Sequence, residues 1–477
     1  MSRRVGAAVL AAIVAAAPAA CRVGPDYQPP LAPKNAESPL VSVKPPAETT
    51  APPPDAWWRL YNDSRLDDLV REALRANHDL AAADANFAAA RAVLTAARAN
   101  LYPSTAAAAG GVRGRDAVTD EILELGGHRP QTVWLYEDVV QAAYEVDLFG
   151  RVHRAIEAAD AGAEAVLAAR DSVRVVVAAE TARAYATVCA LGEQINVARH
   201  SLDVVAREAE ITAARREAGA ASDYELKRAR ALVSQVQASV PTLAGARRAA
   251  LFELTALLGR SPADAPSEIE TCTDPPQLPG SLPVGDGAAL LKRRPDVRQA
   301  ERRLAAATAE IGVITADLYP SIRLAGLYGG AATQLSALTT NGGLTWGVGP
   351  SISWNFLNQS AARARVRQSR ASQTAALAAF DAVVLTALKE TEQALSVYGA
   401  ALDNRQSLID AQTQIHGAFD IARDGFRAGS SSNLDLLTTE QSLIALDAAV
   451  ASADGALVQD QIAVFKALGG GWRDPDQ

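Results

Sequence analysis

Proline is missing from a long stretch of this chain. Between Pro350 and Pro475 there is none, which permits very long helices, because a proline inside a helix removes a donor and clashes with the preceding turn. Aromatic residues make up only 5%, too few for several separate globular cores, whereas abundant alanine suits long helices packed at close range. Charged residues are 21% with a net charge of −8, and this balance argues against a nucleic-acid partner. Cysteines are three: Cys21, Cys189 and Cys272. Cys189 falls in a helical stretch and Cys272 in a linker, and in an oxidising compartment they either pair or stay free. The histidines His78, His128, His153, His200 and His416 lack metal-ligand spacing. Gly347-Val348-Gly349 sits in a strand pattern without the later glycine of a phosphate loop. No metal, cofactor or enzymatic activity is expected. After residue 20 there is no uninterrupted apolar run of about 18 residues, so no helix is expected to span a bilayer. Any crossing must be made of strands.

What the chain does have is a long helical hairpin from Ala361 to Leu468. Apolar residues recur at Leu377, Phe380, Val384, Leu388, Leu395, Tyr398 and Leu402 in steps that sum to a heptad, the seam of a coiled coil. The pattern breaks at Arg427-Ala428-Gly429-Ser430-Ser431-Ser432-Asn433, where glycine supplies a left-handed cap and serine or asparagine starts the next helix. It resumes through Leu436, Leu443, Leu446, Val450, Leu457, Val464 and Leu468. The incoming arm of about 70 residues measures about 105 Å at about 1.5 Å per residue.

Residues 1–20 read as a secretory signal, with Arg3 and Arg4 at its start, an apolar run from Val5 to Ala17 and small residues at Ala19-Ala20. Cys21 follows, where bacterial lipoproteins receive their lipid, although Pro18 occupies the place of the usual leucine. An ordinary secreted protein with an N-terminal free thiol is the alternative. Residues 21–64 are proline-rich and read as an extended tether. Within them Trp57-Trp58-Arg59-Leu60-Tyr61 reads as a packing anchor.

The chain repeats itself. Ala99-Asn100-Leu101-Tyr102-Pro103-Ser104 returns as Ala316-Asp317-Leu318-Tyr319-Pro320-Ser321, and Glu217-Ala218-Gly219-Ala220-Ala221-Ser222-Asp223 returns as Arg427 to Asn433. Each half, 65–258 and 287–468, reads helix, strand, loop, strand, very long helix, turn, long helix. The expected strands are 102–115, 132–149, 319–331 and 344–357. The expected helices are 66–100, 151–217 and 222–258, then 287–317, 361–427 and 433–468. A kink is expected at Pro241. Segment 259–286 reads as an irregular linker, and 469–477 as a tail.

The last strand has the clearest pattern. Leu344, Trp346, Val348, Pro350, Ile352, Trp354 and Phe356 alternate with Thr345, Gly347, Gly349, Ser351, Ser353 and Asn355, as on a lipid-facing barrel strand. A sandwich strand with one buried face alternates equally well, but no strands remain for a second sheet, the loops 116–130 and 332–343 are polar, and the chain carries an export signal. Four strands per chain cannot close, since transmembrane barrels need about 8 or more and an open edge in lipid leaves backbone groups unpaired. Copies must therefore combine. Two would give a narrow filled barrel, three a barrel of about 12 strands with room for a lumen.

Arg294-Pro295-Asp296-Val297, Ala300-Glu301, Ala309-Glu310-Ile311-Gly312-Val313 and Tyr319-Pro320-Ser321-Ile322 resemble the signature of the outer-membrane efflux factors, the TolC-like family. Cys21-Arg22-Val23-Gly24-Pro25-Asp26-Tyr27 resembles their NodT-type lipoprotein branch, which serves RND efflux systems. The resemblance implies a mainly α protein with a transmembrane β-barrel: a homotrimer whose barrel lies in outer-membrane lipid above an α-helical periplasmic tunnel. It also implies an exit duct docking a periplasmic adaptor (membrane fusion) protein and an inner-membrane RND-type transporter. In the family the helix turns form a tip constricted by leucines and carboxylates. Here Gly219, Tyr224 and Glu225 stand in the first turn, and Gly429, Leu434 and Asp435 in the second. Leu434 holds the family's leucine position, whereas the acid usual four residues later is Thr438. Rings of Asp435 or Glu225 would select cations, held closed if neutralised by Lys227, Arg228 or Arg427. Alternatively, both acids are helix caps favoured by the helix dipole. A type I secretion duct and a pore-free periplasmic coiled-coil adaptor are the competing functions.

Overall fold

The computed structural model describes residues 22–48, 51–115, 121, 124–127 and 132–472. The signal segment 1–20, Cys21, most of the loop 116–130 with His128, and the tail from 473 lie outside the described residues. In chain order the elements are β1 (Ala47–Glu48), α1 (Ser64–Ala76), α2 (His78–Ala99), β2 (Ser104–Gly114), β3 (Val133–Val146), α3 (Arg151–Glu217) and α4 (Asp223–Leu257). There follow β4 (Leu282–Pro283), α5 (Gly287–Arg293), α6 (Pro295–Ala316), β5 (Ser321–Ala332), β6 (Leu344–Ser353), α7 (Gln359–Arg427) and α8 (Asn433–Ala467). They form two compact units. One holds Ala88–Ala165, Ala300–Ala379 and the N-terminal residues to Pro30; the other holds Leu31–Phe87, Val166–Gln299 and the chain from Phe380 onward.

The first unit carries a four-stranded antiparallel sheet in the order β2-β3-β5-β6. Its register puts Trp346, Tyr328, Val140 and Ala107 in one cross-strand row and Val348, Gly326, Ala142 and Thr105 in the next. Directly opposed residues share a face, so the alternation of β6 extends across the sheet. Ile352, Ile322, Leu324 and Tyr144 continue the apolar face, while Gly347, Leu327, Gln141 and Ala106 form a row of the other. No described residue covers the apolar face: Trp346 is 69% and Val348 72% exposed. β3 and β6 stop short of the expected ends. Asp147 turns the chain at one, accepting from the His153 backbone N–H (3.0 Å), and a 3₁₀ turn at Phe356–Asn358 replaces the other.

Two sequence motifs meet in this unit. Residues 22–27 lie against α3 and α6, with Arg154 donating to Asp26 (2.6 Å) and Glu157 (2.7 Å). Tyr27 donates to Glu301, and Arg302 pairs with Glu164 at 2.9 Å. Gly24, at φ +90°, passes so close to Gly312 that a Cβ on it would stand 2.5 Å from the Gly312 Cα. Only glycine fits at that crossing.

The second unit is the buried core. Trp57 and Trp58 are fully enclosed, with Trp57 stacked on Phe465 at 4.8 Å between ring centroids and the Trp58 indole N–H bonded to Asp67 (2.9 Å). Ala36, Leu40 and Ala47 of the expected tether are buried as well, and β1 pairs in parallel with β4 of the linker.

Two expected helices are each broken in two. Helix 66–100 divides at Asn77, whose Oδ1 accepts from the N–H groups of Asp79 (2.9 Å) and Leu80 (3.1 Å) while its Nδ2 donates to the Leu257 carbonyl (3.1 Å). Helix 287–317 divides before Pro295, whose ring disfavours helical geometry at the preceding residue. Pro241 does not interrupt α4, which runs on through it. Cys189 and Cys272 form a disulfide, so of the two alternatives for this pair they take the bridged one. The expectation that no helix could cross a bilayer also needs correction: α3, α8 and the helical stretch Phe356–Arg427 are long and apolar enough by length and composition. Their apolarity is largely alanine broken by scattered charges, which a search for unbroken runs passes over. At 67 residues, α3 is about 100 Å long by its rise per residue, over three times the roughly 30 Å of bilayer hydrocarbon.

Candidate gate at the hairpin turns

The two long hairpins, α3–α4 and α7–α8, reverse by the same local chemistry. Gly219 (φ +74°) and Gly429 (φ +78°) supply the left-handed residue. In the first turn Ala220 N–H returns to Arg215 O (2.7 Å), and in the second Ser430 N–H returns to Gly425 O (2.8 Å). Ser222 and Ser432 then start the outgoing helices with full capping boxes. Glu225 accepts from the Ser222 N–H (2.6 Å) and hydroxyl (2.8 Å). Asp435 accepts from the Ser432 N–H (3.3 Å) and hydroxyl (2.7 Å).

The capping role does not exhaust Glu225. Its second oxygen accepts from Asn433 Nδ2 (3.2 Å) and so ties the first turn to the second. The hydrogen bonds at Ser222, first the backbone one, hold its carboxyl below the usual range, with help from Asn433 and Arg215. A second tie runs from Arg228 to the Thr438 hydroxyl (3.4 Å). Arg215 lies over the Phe426 ring at 4.4 Å. Arg427 is engaged by Asp424 at 3.9 Å. Tyr224 (70% exposed) and Leu434 (53% exposed) take equivalent places in the two turns and project from the chain.

Beyond the turns the hairpins are stitched by a small apolar cluster of Val205, Leu232, Val236 and Leu437, flanked by Leu202, Val233 and Ile444. Glu440 sits in the same region at 1% exposure, with neither carboxylate oxygen hydrogen-bonded. Burial, and then Glu208, push its carboxyl up to about 7. Sequence reasoning missed it, because an acid at helical spacing reads as a solvated face. For Asn433 it offered a helix start and missed the tie to Glu225. No cluster of three or more metal-ligating side chains occurs among the described residues.

The family model described as outer membrane efflux protein matches residues 69–260 and 288–470. Nodulation protein T of Rhizobium leguminosarum bv. viciae is 28% identical across 99% of this chain and 95% of its own length. The probable efflux pump outer membrane protein TtgC of Pseudomonas putida is 28% identical across 95% of this chain and 93% of its own. Among solved structures, the outer-membrane channel OprN superposes with a TM-score of 0.86 at 33% identity, covering 95% of this chain and 100% of that one.

Proposed function

Because the chain belongs to the outer membrane efflux protein family and is the outer-membrane channel component of a tripartite efflux system, we propose that it acts as a passive exit duct gated at its hairpin turns. It resides in the outer membrane, assembles as a homotrimer and works with a periplasmic adaptor and an inner-membrane transporter. Relatives such as TtgC are efflux pump proteins, which favours an efflux transporter, of RND type by the family resemblance, over a type I secretion partner.

The observation that carries the duct is the sheet. A single layer of four strands with one uncovered apolar face and two unpaired edges, β2 and β6, is unstable in water and incomplete in lipid, where every backbone group needs a partner. Pairing β6 of one copy with β2 of the next removes both edges, and three copies make a barrel of about 12 strands around a lumen. The order strand, strand, long helix, long helix occurs twice, and the family model matches twice, which supports a tandem duplication. The long helices would gather as the periplasmic tunnel, with both turns at its far end. The seating of Arg22–Tyr27 on α3 and α6 supports a lipid anchor at Cys21 that starts from a fixed place. A pore-free adaptor has no use for such a sheet.

The turns are the gate. Gly219, Tyr224 and Glu225 with Gly429, Leu434 and Asp435 form the tip, and the Glu225–Asn433 and Arg228–Thr438 ties hold its hairpins together. Reconstitution into planar bilayers tests the reading. Glu225→Ala, which cuts a tie and a cap, is expected to raise conductance several-fold, and Asp435→Ala to reduce cation preference. Identical conductance and selectivity in both variants would leave the acids as caps alone.

A further inference from the structure

Glu440 has no part in the capping, the turn ties or the sheet, yet the fold encloses it. Leu437 and Ile444 lie three residues before it and four after it on α8, so all three share a stripe. That stripe faces Val205 of α3 and Leu232, Val233 and Val236 of α4. Glu208 stands one turn from Val205 on α3 and is the charge that acts on Glu440 from that side. From α4 the packed positions are apolar. On α7, Arg423 pairs with Asp420 (2.8 Å) and lies over the Phe419 ring, and its buried Nε, 3.7 Å from Asp424, makes no hydrogen bond among the described residues. Arg228 and Arg215 are committed to Thr438 and Phe426. Among the described residues no group donates a hydrogen bond to either Glu440 oxygen. A buried carboxylate without a partner is strongly disfavoured, whereas the neutral acid is far less so.

We propose that Glu440 is a proton-operated latch on the tip. Neutral, it lets α3, α4 and α8 close on one another; charged, it drives the seam to part and admit water. This rests on the reading of the turns as a gate and adds the chemical signal that biases it.

The sign follows from linkage. Opening hydrates Glu440 and returns its carboxyl to its ordinary value of 4.5, whereas in the closed seam it stands at about 7. The closed form binds the proton more tightly, so its advantage is complete below the open-state value and is lost as pH rises through the closed-state value. The opening equilibrium is therefore expected to rise up to about tenfold per pH unit over that interval and to level off above it, about tenfold in all from pH 6 to pH 8.

The test follows hydrogen exchange of residues 433–447 in the detergent-solubilised trimer, alongside bilayer conductance, for the wild type and the isosteric Glu440→Gln. Comparing the two proteins at each pH cancels the intrinsic pH dependence of exchange. The proposal expects the wild-type excess in exchange to grow about tenfold from pH 6 to pH 8, and Glu208→Gln to move the levelling-off to lower pH. Parallel exchange in the wild type and Glu440→Gln across this range overturns the latch, whether or not the channel conducts. A pH-dependent split in exchange from a protein that never conducts keeps the latch and overturns the duct.

Discussion

At the scale of single residues, the same side chain often serves both the fold and the proposed function. Glu225 caps α4 and holds the second turn through Asn433. Its loss removes one half of the capping box, leaving the Ser222 cap, and the Asn433 hydrogen bond, worth about 1 kcal/mol, which makes the tip looser without unfolding the chain. Cys189 and Cys272 contribute elsewhere, since their bridge spans 83 residues and limits the unfolded chain by about 4.5 kcal/mol on the chain-entropy account. Cys189→Ser is accordingly expected to lower the thermal unfolding midpoint of the detergent-solubilised protein by several degrees. An unchanged midpoint would assign the bridge no stabilising role. The pairing was not legible in the sequence, where spacing alone cannot tell a bridge from two buried thiols. Glu440 was illegible for a related reason: burial belongs to the packing of α3, α4 and α8, and helical periodicity shows only which residues share a face.

At the scale of elements, the helix turns were the most legible part, because their signals are local: glycine for the left-handed residue and serine followed three residues later by an acid for the cap. The breaks at Asn77 and Arg294-Pro295 were less so. Asn77 divides two helices by capping one of them and reaching Leu257, a contact 180 residues away. The sheet was legible through β6 alone, and the register then shows that its apolar side continues across β5 and β3. Two adjacent positions on β6 separate its faces. Val348→Arg places a charge on the apolar side, which costs roughly 2–4 kcal/mol near the bilayer midplane, and is expected to abolish recovery of assembled protein from outer membranes. Gly347→Arg points the other way, where an added Cβ meets no atom within 4 Å, and is expected to assemble normally and lower cation preference. Equal recovery of the two variants in membrane fractions would remove the assignment of the faces.

At the scale of the whole molecule, the described chain leaves too much uncovered to be complete alone. The apolar stretches of α7 and α8 are only 17% buried, against 72% for that of α3, and Tyr224, Leu434 and Ile421 are exposed. Such surfaces call for neighbours, and a ring of copies supplies lipid to one side of the sheet, water to the other and helices to the exposed seams. The most direct measurement is the mass of the detergent-extracted particle by light scattering corrected for bound detergent. The account predicts three chains per particle, and a particle of one chain would contradict it.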